Sequence, residues 1–178
     1  MSSVIISGDT SGTVTLTVPA VAGTQTATLP AATGTVMVSG NMPAFSAYLG
    51  ANSSALTAAT YTKVSFDTEE FDTNSNFASS RFTPTVAGYY QINASVSPQA
   101  FAGNYFLILI YKNGTIYKNG TNFSPNTLAG LSAPVSSLVY LNGSTDYVEI
   151  YVIANGTPAL LGGASNSTYF NGSMVRSA

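Results

Sequence analysis

Five Asn-Gly dipeptides divide the C-terminal part of this 178-residue sequence into short segments. They are Asn113-Gly114, Asn119-Gly120, Asn142-Gly143, Asn155-Gly156 and Asn171-Gly172. Asparagine and glycine both tolerate positive φ, which the type I′ turn of a β-hairpin requires at its central residues. We therefore expect hairpins in this region and an antiparallel β structure.

The segments around these turns have the composition of β-strands. Alternation, or β-branched and aromatic content, predicts strands over residues 64–66, 90–96, 105–112, 136–141 and 147–153. No window has a convincing helical period. Because short strands with regular turn signals are typical of sandwiches, we predict an all-β, antiparallel jelly-roll sandwich.

The composition excludes several kinds of catalytic site. The chain has no His, Cys or Trp, and charged residues make up 7% of it. Without His or Cys there is no Ser-His-Asp or Cys-His nucleophile, no redox thiolate and no His- or Cys-ligated zinc or haem. Carboxylates such as Asp67, Glu69 and Glu70 are the best candidates for a glycosidase pair, but a solvated loop explains them more simply. We predict that the protein is not an enzyme and has no cofactor.

Charge and hydropathy argue against two classes of partner. The formal net charge of -2 is weak and of the wrong sign to attract a phosphate backbone. No run approaches the roughly 18 consecutive apolar residues of a membrane-spanning helix, and the first residues lack the basic and apolar regions of a signal peptide. We expect neither nucleic-acid binding nor membrane insertion.

Residues 1–42 differ in composition from the rest of the chain. Ser, Thr, Gly, Ala and Val dominate this segment, which contains no Lys, Arg or aromatic residue. Such strands cannot build a core alone, so the segment should be ordered by wrapping with copies of itself or by docking on a partner. A disordered low-complexity leader is the alternative. We predict a stalk over residues 1–42 and a head over residues 43–178.

Three phrases in the stalk carry a resemblance. They are Gly-Thr-Val-Thr-Leu at residues 12–16, Pro-Ala-Val-Ala-Gly-Thr at 19–24 and Ala-Thr-Leu-Pro-Ala-Ala-Thr-Gly-Thr at 27–35. In this order they resemble a short module common in phage tail-fibre and other virion proteins. The resemblance covers residues 8–38 and implies that residues 1–42 anchor the chain to other virion proteins.

A series of residues in the head carries a second resemblance. The series is Phe66, Asp72, Phe77, Phe82, Pro84, Gly88, Tyr90 and Ile92. It resembles the signature of the C1q-like family of trimeric jelly rolls, which is related in fold to tumour necrosis factor, and further matches extend over residues 43–176. Two departures are that Ile92 and Ala94 stand where the family prefers aromatic residues, and that the gap between Phe77 and Phe82 is shorter. The resemblance implies a jelly-roll head and a homotrimer.

The head carries more apolar strand residues than one core obviously needs. Phe66, Phe82 and Tyr90 are predicted to lie in the core. Strands that are apolar on both faces should be buried on both, which makes their residues candidates for the trimer interface. These candidates are Tyr105, Leu107, Leu109, Tyr111, Tyr147, Ile150 and Val152. Burial inside a single sandwich is the alternative for each of them.

Residues 67–72 form an acidic segment that has two interpretations. Some C1q-like heads carry calcium, and oxygen-rich loops can bind it. Asp67 and Asp72 are therefore weak metal-ligand candidates. A solvated loop without metal is the preferred interpretation.

Together these features predict a non-enzymatic phage protein on the surface of the virion. The stalk would anchor the protein while the trimeric head attaches to a host-surface glycan, three copies multiplying a weak contact. Tyr rings stack on sugars and Asn amides hydrogen-bond to them, so the candidate binding residues are Tyr117, Asn119, Asn122, Phe123, Asn166 and Tyr169. The alternative function is a capsid decoration or head-fibre protein whose arm laces between shell subunits.

Overall fold

The computed structural model describes residues 3–28, 31, 33–34, 36–99, 103, 105–124 and 131–178. The chain divides into two compact units, Met1–Gly34 and Thr35–Ala178. We name them the N-terminal unit and the head unit. The predicted boundary between stalk and head, after residue 42, stays a prediction.

The N-terminal unit contains one β-hairpin. Strands β1 (Ser3–Ser7) and β2 (Thr13–Thr17) pair antiparallel. The Gly8 backbone N–H donates to the Gly12 carbonyl at 2.9 Å and closes the loop between them. Every residue of both strands is exposed. Over the part of this unit that the structure describes, the hairpin therefore has no buried side.

The head unit is built from short strands. A 3-10 turn at Ser39–Asn41 precedes them, and the described residues of the head contain no α-helix. The strands are β3 (Ala44–Tyr48), β4 (Thr62–Lys63), β5 (Thr68–Asp72), β6 (Phe77–Ala78), β7 (Arg81–Phe82), β8 (Gly88–Val96), β9 (Phe106–Lys112), β10 (Thr115–Phe123), β11 (Ala133–Leu141), β12 (Val148–Ala154) and β13 (Tyr169–Ser177).

These strands form two antiparallel sheets. Sheet A has the order β10-β9-β12-β7-β6, with β4 also paired to β12. Sheet B has the order β11-β8-β13-β3-β5. Most neighbours are not consecutive in sequence, because the chain crosses repeatedly from one sheet to the other. The predicted all-β, antiparallel sandwich is confirmed.

The core lies between the two sheets and is rich in stacked aromatic rings. Phe45 lies at its centre, with ring centroids 4.3 Å from Phe82, 4.8 Å from Phe170 and 5.0 Å from Phe77. Tyr90 is fully buried, and its hydroxyl donates to the Val86 carbonyl at 2.6 Å. Burial raises the pKa of Tyr90 far above its ordinary value. The hydroxyl therefore stays protonated and anchors the chain before β8.

The Asn-Gly dipeptides do not all form the predicted turns. Asn113 and Gly114, with φ of 53° and 79°, close the β9–β10 hairpin as expected of a type I′ turn. Two other dipeptides, residues 119–120 and 171–172, lie inside β10 and β13. Residues 142–143 belong to the loop that crosses from sheet B to sheet A, and residues 155–156 follow β12. The hairpin interpretation was wrong at these four positions, although the antiparallel structure it predicted is correct.

The predicted strand over residues 64–66 is also wrong. This segment follows β4 and has no strand assignment. The Val64 backbone N–H still donates to the Ile150 carbonyl at 2.9 Å, and the Val64 and Phe66 side chains are buried. The segment thus lines the core in extended form beside β12.

Candidate functional site

The outward face of sheet B carries a chain of hydrogen-bonded polar side chains. Gln91 Nε2 donates to Ser136 Oγ at 2.8 Å and to Asn93 Oδ1 at 3.2 Å. Ser136 Oγ donates to Asn93 Oδ1 at 2.8 Å, and Asn93 Nδ2 donates to Asn171 Oδ1 at 3.2 Å. These residues alternate with core residues along β8, β11 and β13, so they point away from the core. Their mutual hydrogen bonds fix the orientation of the amides.

Exposed apolar side chains accompany this polar chain. Phe71 on β5, Leu138 on β11 and Val175 on β13 are 51%, 52% and 60% exposed. Tyr89 and Tyr140, which face each other across β8 and β11, are also exposed, with ring centroids 5.5 Å apart. We name the surface formed by these residues and the polar chain the ladder face. A concentration of exposed apolar side chains on one sheet is typical of an interaction surface.

The outward face of sheet A carries a second apolar cluster. The Tyr111 and Tyr151 rings stack with centroids 3.9 Å apart, and the exposed Tyr61 ring lies 6.3 Å from Tyr111. Leu109 and Ile153 are buried in this cluster. Burial raises the pKa of Tyr111, and the nearby Tyr61 and Tyr151 raise it further. This cluster is largely covered by its own side chains, unlike the ladder face.

The predicted core and interface residues fall on both faces of sheet A and in the core. Phe66, Phe82, Tyr90, Ile150 and Val152 belong to the main core. Leu109 and Tyr111, with the half-buried Tyr105 and Leu107, form the outer cluster of sheet A. The ring of Tyr147 lies 3.7 Å below the guanidinium carbon of Arg81. The assignment of a trimer interface to the outer residues stays a prediction.

The predicted glycan-binding residues lie on separate elements. Tyr117, Asn119 and Asn122 are exposed on β10, at the edge of sheet A. Phe123 is half-buried at the end of the same strand, with its ring 5.4 Å from that of Phe106. Asn166 is exposed in the loop before β13, and Tyr169 begins β13 in sheet B. The two predicted groups thus belong to different sheets.

Asp67 and Asp72, the weak metal-ligand candidates, organise the local backbone. Asp67 Oδ1 accepts a hydrogen bond from the Gly50 backbone N–H at 2.6 Å. Asp72 Oδ2 accepts one from the Phe77 backbone N–H at 2.7 Å, which ties β5 to β6. Within the described residues, no group of three or more His, Cys, Asp or Glu could hold a metal ion. In the same part of the chain, no helix has the length and apolar character needed to cross a membrane.

The apolar residues of the ladder face were not predicted from the sequence. Leu138 and Tyr140 alternate with the buried Val139 and Leu141, which is the pattern of a strand with two apolar faces. Residues 105–111 and 147–152 have the same pattern, and it predicts burial on both faces there as well. Phe71 is the aromatic residue of an acidic segment, and its neighbours gave no signal of an interface.

Comparison with known proteins shows the fold. No protein-family model matches the sequence, and no curated protein matches it. Among solved structures, murine APRIL superposes with a TM-score of 0.58 at 11% identity, covering 75% of this chain and 99% of that one. The PRD1 vertex protein P5 superposes with a TM-score of 0.55 at 12% identity, covering 76% of this chain and 96% of that one. These likenesses confirm a jelly roll of the type found in tumour necrosis factor-like proteins, and at such low identity they show the fold alone.

Proposed function

We propose that the chain is a non-enzymatic structural and binding protein on the surface of a phage particle, and that it works as a homotrimer. Residues 1–42 attach it to other virion proteins. The head attaches the particle to a glycan on the host surface. The observation that carries the proposal is the ladder face, which leaves Phe71, Leu138 and Val175 more than half exposed in the single chain.

The composition of the ladder face supports other copies of this chain as its partners. Its polar side chains already hydrogen-bond to one another, so a partner surface needs to supply polar groups mainly for Gln91 Oε1 and Asn171 Nδ2, which have no hydrogen-bond partner among the described residues. Tyr89 and Tyr140 are of the aromatic type that is enriched at interfaces. Two neighbouring copies of this chain would cover these residues in a closed trimer.

Two observations support a place on a virion. The head has the fold of the PRD1 vertex protein P5. The β1–β2 hairpin exposes apolar side chains, with Val4, Ile5 and Ile6 each more than half exposed. A two-stranded hairpin is marginally stable by itself, and a partner sheet would pair its edges and cover these side chains.

The glycan part of the proposal assigns the contact to exposed residues of the head. Tyr117, Asn119 and Asn122 on β10, together with Phe123, are one candidate group, and Asn166 and Tyr169 are the other. Both stay predictions from residue type. Trimerisation would present three copies of each group, which raises the avidity of a weak saccharide contact.

The trimer is tested by measuring the mass of the full chain with light scattering during size exclusion. We expect the mass of three chains for the wild type and of one chain for Leu138→Asp, because each interface would bury a carboxylate without a partner. Tyr61→Asp is the matched control, since Tyr61 has a similar exposure of 47% but belongs to the outer cluster of sheet A. It should remain trimeric. A monomeric wild type contradicts the trimer. If Tyr61→Asp is monomeric and Leu138→Asp stays trimeric, the interface lies on sheet A and not on the ladder face.

A capsid decoration or head-fibre protein is the second candidate function. The exposed hairpin favours it, because such an arm can lace between shell subunits as an added pair of strands. Electron microscopy of particles labelled with an antibody to the head separates the two functions by location. A glycan array probed with the trimer tests attachment directly, and an array with no bound glycan contradicts it.

A further inference from the structure

A cavity of about 460 Å³ opens beside the β6–β7 hairpin of the head. Its lining includes Lys63, Asn76, Ser79, Arg81, Thr83 and Thr85. The whole chain has five basic residues, and two of them line this one cavity. Its volume lies in the range of small-ligand pockets, about 300–1,000 Å³. The lining therefore combines positive charge with hydroxyl and amide groups.

The positive charge is not fully neutralised by the protein. Lys63 Nζ and Arg81 Nε both bind the same oxygen, Oε1 of Glu149, at 3.1 Å and 2.9 Å. Glu149 is buried behind them, at 2% exposure. Two cations against one carboxylate leave a net positive charge at the wall of the cavity. An anionic ligand would balance it.

Arg81 is held in a fixed orientation with part of its guanidinium unused. Its guanidinium carbon lies 3.7 Å from the centroid of the Tyr147 ring, and Nε is committed to Glu149. Among the described residues, the two terminal nitrogens have no hydrogen-bond partner. A planar guanidinium fixed in this way presents its terminal donors to a carboxylate as a bidentate pair.

The rest of the lining suits a hydroxylated ligand. Ser75, Ser79, Thr83 and Thr85 supply hydroxyl groups. The buried Asn76 amide holds the lining together, because Nδ2 donates to the Asn74 carbonyl at 3.0 Å and Oδ1 accepts from the Thr85 backbone N–H at 3.3 Å. Ser79 and Ser80 are the two central residues of the β6–β7 hairpin, and their positive φ of 51° and 57° is that of a type I′ turn. The turn therefore fixes the position of Ser79 in the lining. Hydroxyl groups are usual partners of sugar hydroxyls.

We propose that this cavity binds a carboxylated saccharide, such as a hexuronic acid. Arg81 would bind the carboxylate through its terminal nitrogens, Lys63 would add charge, and the serine and threonine hydroxyls would bind the sugar ring. The inference goes beyond the proposed glycan attachment, because the cavity is a different site from the two candidate groups of exposed residues. The cavity belongs to sheet A, whereas the ladder face belongs to sheet B.

The test titrates the full-length protein with glucuronic acid, its methyl ester and inorganic phosphate, by calorimetry or ligand-observed NMR. We expect the acid to bind at least about tenfold more tightly than the uncharged ester, and more tightly than phosphate, because both the carboxylate and the ring are recognised. Equal binding of acid and ester would contradict the role of the carboxylate. Equal binding of phosphate would contradict the role of the sugar.

Two substitutions place the binding in the cavity. Arg81→Lys keeps a cation beside Glu149 but loses the bidentate geometry, and should weaken binding of the acid by about tenfold. Ala78→Phe places a ring in the lining of the cavity, opposite Arg81 on the neighbouring strand, and should abolish binding. Arg176→Lys, the same exchange at an exposed arginine of sheet B, is the matched control and should leave the affinity unchanged. Unchanged affinity in both cavity variants would overturn the proposal.

The outcomes separate this inference from the proposed attachment. A glycan array on which only neutral glycans bind contradicts the cavity proposal and leaves attachment standing. Glucuronic acid bound in the cavity, combined with an array signal that Arg81→Lys does not change, supports the cavity and contradicts its part in attachment.

Discussion

The hairpin of the N-terminal unit and the strands of the head both contain β-branched and aliphatic residues, yet among the described residues a buried core is found only in the head. Val4 and Leu16 on β1 and β2 are 60% and 59% exposed, whereas Ile108 and Val139 in the head are fully buried. Both regions pair their backbones antiparallel. The difference is a second sheet with aromatic side chains to fill the space between the layers. Local sequence is enough for two strands to pair, but the side chains of a strand are buried only where a second sheet packs against them.

The largest expected difference between the two regions is the loss of stability when a single side chain is truncated to alanine. Phe45→Ala should destabilise the head by about 3–5 kcal/mol, because it removes a ring that packs on three others and leaves a cavity. Ile5→Ala in β1 should change the stability of the head by less than about 0.5 kcal/mol.

Tyrosine fluorescence during guanidinium unfolding measures both variants. Residues 1–42 contain no aromatic residue, so the signal reports the head alone. A midpoint that moves as much for Ile5→Ala as for Phe45→Ala would show that the hairpin is part of the head's cooperative unit.

Much of the head could be predicted from sequence. The predicted strands over residues 90–96, 105–112, 136–141 and 147–153 correspond to β8, β9, β11 and β12. They succeeded because long β-branched and aromatic runs leave little alternative to a strand. The Asn-Gly dipeptides in β10 and β13 do not mark turns, because the glycine at each is required by close packing. A Cβ added to Gly172 would lie 2.8 Å from Ile92 Cδ1. Lack of space therefore explains the glycine at this position, and no turn is needed.

The candidate sites were less predictable. Lys63 and Arg81 reach Glu149 from positions 86 and 68 residues away along the chain. No local sequence pattern predicts these two ion pairs, because they depend on which strands become neighbours in sheet A. The ladder face poses a different difficulty: β11 is apolar on both faces, and sequence alone cannot say which face meets the core.

Two glycines extend the comparison of packed and open regions. In β10, a Cβ on Gly120 would lie 2.5 Å from Val135 Cβ and 2.7 Å from Ile108 Cγ2, so the two sheets touch there. Gly120→Ala should therefore destabilise the head by about 1–3 kcal/mol. A Cβ on Gly34, in the N-terminal unit, would meet no atom of the described residues within 4 Å, and Gly34→Ala should change stability by less than about 0.5 kcal/mol. Denaturant midpoints check both, and a neutral Gly120→Ala would mean that the sheets are less tightly packed at this position.

A smaller effect is expected at Asp146, in the loop that joins β11 to β12. Hydrogen bonds from Asn113 and Lys112 lower the pKa of this carboxyl. A lowered pKa in the folded state stabilises the head at neutral pH, and this contribution is lost as the pH falls through the folded-state pKa. Asp146→Asn should therefore be less stable than the wild type at pH 7, and the difference should shrink between about pH 5 and pH 2.

Thermal melts of both proteins over this pH range measure the difference. Thr145→Ala changes the same loop without removing a partner of Asp146, and serves as the control. If the stability difference between Asp146→Asn and wild type stays constant with pH, the substitution acts through packing and not through the charge of the carboxylate.

The smallest expected effect is on the head when residues 1–34 are deleted. The main core draws its buried residues from Phe45 to Met174, so the deletion removes none of them. The melting temperature of the head should therefore change by less than about 2 °C, which corresponds to well under 1 kcal/mol for a domain of this size. Association of the same variant with phage particles should be lost, because the deletion removes most of the proposed anchor, residues 1–42. A head that melts at least about 5 °C lower would show that the hairpin contributes to folding. Particles that still incorporate the shortened chain would show that attachment uses the head.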